Sequence, residues 1–157
     1  LQSQAFRQLI IQDCIRPSEI TIMSLPKVIN HVYKTLQTDY KDMVVVTGKA
    51  PTKVYIFLPI FTNILTNLIR NAYYHGNASK IEFTWDAKQP ILYIKDNGYG
   101  IPKRKFDRLF DFNPTRSGSG IGLPFIHRAL RAMRARIDVM SSERGTSFMI
   151  LFDQPVY

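Results

Sequence analysis

Three groups of residues have types and spacings suited to chemistry. Asn63, Asn67 and Asn71 recur every four residues, so on a helix they share one face, opposite the apolar stripe formed by their neighbours. Asparagine is a mediocre helix former. Such a stripe is either a solvated polar face or a row of amide oxygens facing a hard cation such as Mg²⁺, which takes oxygen ligands and leaves room for phosphates and water. The second group is Asp96-Asn97-Gly98-Tyr99-Gly100-Ile101-Pro102. Its glycines suit a ligand that the backbone must approach closely, and Asp96 can accept a hydrogen bond from an exocyclic amino group such as that of adenine. An Asx-turn leaving a strand uses the same residues. The third is Ser117-Gly118-Ser119-Gly120-Ile121-Gly122-Leu123, opening a helix. Free backbone N–H groups and the positive helix end make that a phosphate site. No strand–helix–strand context precedes these glycines, as a dinucleotide fold requires, and no Gly-Lys-Ser/Thr ends a glycine-rich turn.

These groups need elements to position them. Residues 57–74 carry a helical stripe of Phe61, Leu65, Leu68 and Ala72, stopped by Gly76-Asn77-Ala78. Residues 80–85 and 91–95 alternate, placing Ile81, Phe83 and Trp85, then Leu92 and Ile94, on one face, so the two runs predict a hairpin that delivers Asp96. A helix is expected over 25–36, with Ser24 as N-cap and Pro26 in its first turn, and a short strand over 43–47. Residues 96–122 form a long connection of the kind used as a lid, with at most a short helix over 104–110. A helix over 121–135 and strands over 137–140 and 146–152 around a Ser-Ser-Glu-Arg-Gly turn close the chain. Residues 1–15 read as a further helix, interrupted by Arg16-Pro17-Ser18. The expected fold class is α+β, a two-layer sandwich with helices on one face of a mixed, mostly antiparallel sheet.

Composition narrows the function classes. The 157 residues are 45% hydrophobic, enough for a core, and carry 21 basic against 12 acidic residues for a net charge of +9. A surface of that sign attracts anions. No run of five like charges appears, so no nucleic-acid tail is expected. The single cysteine, Cys14, excludes a disulfide framework and fits a reducing compartment. The longest apolar stretch, 54–61, is broken by Pro59 and is far below the ~20 residues of a membrane span. The chain opens on Leu1, without a signal-peptide pattern, and reads as a fragment of a longer protein. Any membrane segment of that protein is expected elsewhere.

In order and spacing, the motifs resemble the GHKL nucleotide-binding family, and within it the ATP-binding catalytic domain of bacterial sensor histidine kinases. Asn67-Leu68-Ile69-Arg70-Asn71-Ala72 matches the N box. The Asp96 turn matches the first glycine box, Phe106 through Phe112 the F box, and Gly118 through Leu123 the second glycine box. The resemblance covers about 19–152 and implies a Bergerat-type sandwich with an ATP lid. Residues 1–18 would then be the tail of a dimerisation hairpin or linker helix, and 19–157 the ATP-binding domain.

The resemblance implies that Asn71 ligates Mg²⁺ and that Asn67 orders the metal's water or the phosphates. Asp96 would bind the adenine amino group, and Gly98 and Gly100 would let base and ribose lie against the backbone, next to Ile101. Gly118, Gly120, Gly122 and Leu123 would shape the lid's return around the phosphates, while Thr146 closes the base pocket. Hydrolysing relatives carry a glutamate base where this helix has Asn67. An amide cannot take a proton from water, which favours transfer to a protein acceptor. The implied reaction passes the γ-phosphoryl group of Mg-ATP to a histidine on an adjoining dimerisation domain, and from there to a response-regulator receiver. The setting would be the cytosolic part of a membrane-anchored sensor. The rival readings are a GHKL ATPase of chaperone, topoisomerase or mismatch-repair type, and a basic binding module with a vestigial pocket.

Two departures stand out. Tyr74 occupies the position where the family commonly has Lys or Arg, with His75 at the following aromatic position, so Arg116 or Lys103 is expected to compensate at the phosphates. The last glycine box is thin, reading Gly145-Thr146-Ser147. His31 and His127 precede Val32 and Arg128 rather than an acidic residue, so the phosphoacceptor is expected outside this chain. Lys103, Arg104, Lys105 and Arg108 form either a solvated loop face or an attractant for ATP or an acidic receiver.

Overall fold

A computed structural model describes residues 19–102 and 123–153. Within them, β1 (Thr21–Ser24), α1 (Leu25–Thr35), α2 (Thr38–Met43), β2 (Val44–Val46), β3 (Lys53–Ile56), α3 (Leu58–Tyr74), β4 (Ile81–Thr84) and β5 (Ile91–Asp96) precede α4 (Leu123–Ala132), β6 (Ala135–Ser142) and β7 (Gly145–Phe152). The main sheet has five strands in the order β2-β4-β5-β7-β6. Only the β2–β4 pair is parallel, while β4–β5, β5–β7 and β6–β7 are antiparallel. β1 and β3 form a separate antiparallel pair.

Alternation makes this sheet one-sided. Ile81, Phe83, Leu92, Ile94, Ile137, Phe148, Ile150 and Phe152 are buried, and the residues between them are half-buried or exposed. α3 packs against α1 and α4, and α4 lies on β6. Phe61 of α3 meets Phe152 of β7 with ring centroids 5.9 Å apart. Each large apolar side chain buried in this layer contributes roughly 1.5–3 kcal/mol. The mixed sheet with helices on one face is the expected two-layer α+β arrangement.

Differences lie in short elements and boundaries. β1, α2 and β3 were not anticipated. They have four, six and four residues, too few for a periodicity to show. The last helix stops at Ala132 rather than 135, because Arg134 takes a left-handed φ of 57° and turns the chain into β6. β6 runs on to Ser142, which pairs with Gly145, so the hairpin turn is only Glu143-Arg144. The expected helix over 1–15, the lid with its F box, and Arg116, Gly118, Gly120 and Gly122 lie outside the described residues. Among the described residues, no helix is long and apolar enough to cross a membrane.

Candidate functional site

β5 ends at Asp96, and the chain then turns through Gly98 and Gly100 between the end of α3 and the β6–β7 hairpin. Asp96 Oδ1 accepts the Gly98 N–H at 2.9 Å and the Thr146 N–H at 3.2 Å. The first bond is the Asx-turn and the second joins β5 to β7. Among the described residues both bonds go to Oδ1, which leaves Oδ2 as the oxygen that can accept from a ligand.

The glycines here answer to contact. Gly98 is buried, and a Cβ on it would fall on the Gly76 carbonyl. Close approach lets the Tyr99 N–H donate to that carbonyl at 2.8 Å. Gly145 has φ +136°, and a Cβ there would strike the Asp96 carbonyl. Both positions therefore exclude side chains for reasons of space, and Gly145 also for reasons of backbone conformation.

α3 is fastened to this turn by asparagines. Asn77 takes a left-handed φ of 50° as the helix ends, and its Nδ2 donates to the Tyr99 hydroxyl at 3.1 Å. Asn97 Oδ1 accepts the backbone N–H groups of Ser79 and Lys80, both at 2.9 Å, while its Nδ2 donates to Ser79 Oγ at 2.9 Å. On the opposite side, the Ile101 N–H donates to Ser141 Oγ at 2.7 Å, and Ser141 Oγ lies 2.9 Å from Thr146 Oγ1. Asp96, Gly98, Ile101 and Thr146 are thus joined, through Ser141, in one bonded assembly past the C-terminal end of α3.

The asparagine stripe of α3 is not a solvated face. Asn67 is 6% exposed, and Asn63 and Asn71 are half-buried. The exposed side of the last turns is instead Arg70, Tyr73 and Tyr74. Tyr74, 64% exposed, meets Tyr73 edge-to-face at 5.0 Å and Tyr40 of α2 at 6.3 Å; Tyr40 and Tyr73 are 5.4 Å apart. Burial raises the pKa of the Tyr40 phenol above its ordinary value; Tyr74 pushes the same way through a hydrogen bond and its charge, and Arg70 pulls against both. His75 caps α3 and is exposed. Leu123 begins α4.

Among the described residues no cluster of three His, Cys, Asp or Glu side chains gathers to hold a metal. The donors on offer are the amide oxygens of α3, hard and neutral. They fit a cation that arrives with its own phosphate and water ligands better than one needing an all-protein cage.

Two contributors to this assembly were missed in the sequence. Asn97 was visible only as a motif member, and Ser141 only as part of a turn. The alternation Ile137, Val139, Ser141 on β6 was the available sign that this serine shares the face of buried Ile137 and half-buried Val139.

A one-sided sheet, a helix stripe of one buried and two half-buried asparagines and a glycine turn locked around a carboxylate form a two-layer α/β sandwich with a candidate nucleotide site. Over residues 57–156 the chain matches the family described as Histidine kinase-, DNA gyrase B-, and HSP90-like ATPase, and it belongs to that family. It is 30% identical over 102 residues to the methanogenesis regulatory histidine kinase FilI of Methanothrix harundinacea (strain 6Ac), covering 60% of this chain and 11% of that protein. To the sensor protein kinase WalK of Staphylococcus aureus (strain MRSA252) it is 32% identical over 148 residues, covering 82% of this chain and 23% of the relative. The chain thus spans about a tenth to a quarter of the length of these curated relatives. In fold it is similar to the histidine kinase AdeS of Acinetobacter baumannii, with a TM-score of 0.72 at 22% identity over 94% of this chain and 74% of the other. The ATP-binding domain of PrrB from Mycobacterium tuberculosis gives 0.70 at 15% identity over 87% and 98%.

Proposed function

We propose that the chain binds Mg-ATP between α3 and the Asp96 turn and, in its parent protein, donates the γ-phosphoryl group to a histidine of an adjoining dimerisation domain. The observation that carries this is the Asp96 carboxylate, fixed through Oδ1 by two backbone N–H groups with Oδ2 left to accept the adenine amino group. The backbone at Gly98 and Gly100 then lies against base and ribose, with Ile101 beneath and Thr146 closing the pocket from β7. Asn71 holds Mg²⁺ through its amide oxygen, and Asn67 orders water or phosphate one turn earlier. When bound, the ion neutralises charge on the phosphates as the γ-phosphoryl group leaves.

The rest of the assignment follows the sequence motifs. Arg116, Gly118, Gly120, Gly122 and Leu123 are assigned to the phosphates, and Tyr74 and His75 to the rim. Residues 1–18 are assigned to the preceding hairpin or linker and 19–157 to this domain. A response-regulator receiver is the onward partner, and the parent is a membrane-anchored sensor with this domain in the cytosol. Asn67 lacks the basicity to activate water, which supports transfer over hydrolysis, and the two relatives compared by sequence carry kinase names.

Calorimetry on the chain tests the pocket. Asp96→Ala is expected to weaken ATP roughly tenfold or more, the loss of a charged hydrogen bond, and Asn71→Ala to remove the dependence of ATP affinity on Mg²⁺. Incubating the parent protein with γ-labelled ATP tests the transfer. An acid-labile label that Asp96→Ala lowers markedly at limiting ATP is the expected outcome, and release of inorganic phosphate without protein labelling refutes the kinase assignment.

A further inference from the structure

The β6–β7 hairpin contributes a serine with no role in the assignment above. Ser141 Oγ accepts the Ile101 N–H at 2.7 Å and sits 2.9 Å from Thr146 Oγ1. Thr146 is 5% exposed, and its own N–H donates to Asp96 Oδ1. Ser141 therefore links the far end of the glycine turn to the residue that fixes the base-reading carboxylate.

Either hydroxyl of the Ser141–Thr146 pair can donate, and the Ile101 bond favours one of the two orders. A hydroxyl that already accepts a short bond is polarised and becomes the stronger donor. Ser141 has a single O–H, and Thr146 Oγ1 lies within its reach. Of the two orders open to the pair, the one this polarisation favours runs from Ile101 N–H to Ser141, then from Ser141 O–H to Thr146. Thr146 already accepts from Ser141, so its own O–H points onward as a donor. Asp96, whose Oδ1 accepts the Thr146 N–H, supplies an acceptor from the neighbouring strand.

We infer that Ser141 is a positioning residue that sets base selectivity, by turning Thr146 into a hydrogen-bond donor next to the Asp96 acceptor. An acceptor beside a donor matches the Watson–Crick edge of adenine, which offers an amino group and the ring nitrogen N1, directly or through one water. Guanine inverts both, presenting a carbonyl oxygen and an N1–H, so each site group would face its own kind. Selectivity here is as much the mismatch against guanine as the fit to adenine. The inference rests on the nucleotide reading above.

The test is equilibrium binding of ATP and of GTP to the native chain and to Ser141→Ala, Ser141→Thr and Ser141→Cys. The native chain is expected to prefer ATP. Ser141→Ala lowers the ATP-to-GTP affinity ratio about fivefold or more, the worth of one oriented hydrogen bond. Ser141→Thr keeps the hydroxyl and the ratio. Ser141→Cys, a weak donor of similar shape, falls between and serves if the alanine variant does not fold. A merely structural serine would weaken both nucleotides equally, so an equal loss, or an unchanged ratio, overturns the inference. A native chain that binds neither nucleotide overturns the nucleotide reading as well, whereas a selective native chain with an unaltered variant ratio overturns this inference alone.

Discussion

The last turn of α3 faces two regions built on opposite physical terms. On one side, just past its end, the Gly76 carbonyl and the Asn77 amide meet the Asp96 turn through directional hydrogen bonds of 2.8 and 3.1 Å. On the other side Tyr73 and Tyr74 pack edge-to-face with Tyr40. The bonded side is where the sequence follows the family motif, and the aromatic side is where it departs, with Tyr74 in place of a basic residue. Directional bonds fix a carboxylate to within tenths of an ångström and tolerate few substitutions. Ring packing on an exposed surface is worth about 0.5–1.5 kcal/mol per pair and leaves room for change.

Breaking the bonded side should have the largest effect. Gly145→Ala places a side chain on the Asp96 carbonyl at a φ that only glycine readily adopts. We expect a loss of more than about 3 kcal/mol, read as a lower midpoint in urea unfolding. Asn97→Ala removes three hydrogen bonds from an exposed clasp that water can partly replace. A loss of about 1–2 kcal/mol is expected, together with weaker ATP binding because Asp96 is the preceding residue.

The aromatic side should respond least, and chiefly at alkaline pH. The folded chain holds the Tyr40 proton more tightly than the unfolded chain, whose phenol titrates near 10.0. Its contribution is therefore complete below pH 10 and is lost as pH rises through the raised folded value. Unfolding midpoints measured from pH 8 to 11 should fall more steeply in the native chain than in Tyr40→Phe. At pH 7 that variant should lose only about 1 kcal/mol.

The same contrast explains what the sequence revealed. Long periodic segments declared themselves: α3 by its stripe of Phe61, Leu65 and Leu68, and β4, β5 and β7 by alternation. Asp96 and Gly98 stood out through their place in an ordered series of motifs, since an ordinary Asx-turn uses the same pair. β1, α2 and β3 stayed hidden, since four to six residues hold too little pattern. Asn97 and Ser141 were hidden for another reason. Their partners lie 17 to 18 and 40 residues away, and local spacing carries no information about bonds made across the fold. The buried state of Asn67 was missed because an amide on a helix is polar by type, and only the packing around α3 reveals its exposure.

The claim on which the account turns is that ATP sits at the bonded side of α3 and nowhere else. Titrating Mg-ATP into isotopically labelled chain while following backbone amide signals tests it directly. The account predicts saturable shifts at Asn71, Gly98, Ile101 and Thr146, with the signals of Tyr33, Val46 and Arg136 unmoved and with the midpoint raised about tenfold or more in Asp96→Ala. Shifts that leave Gly98 and Thr146 in place, or that keep the native midpoint in Asp96→Ala, would contradict it.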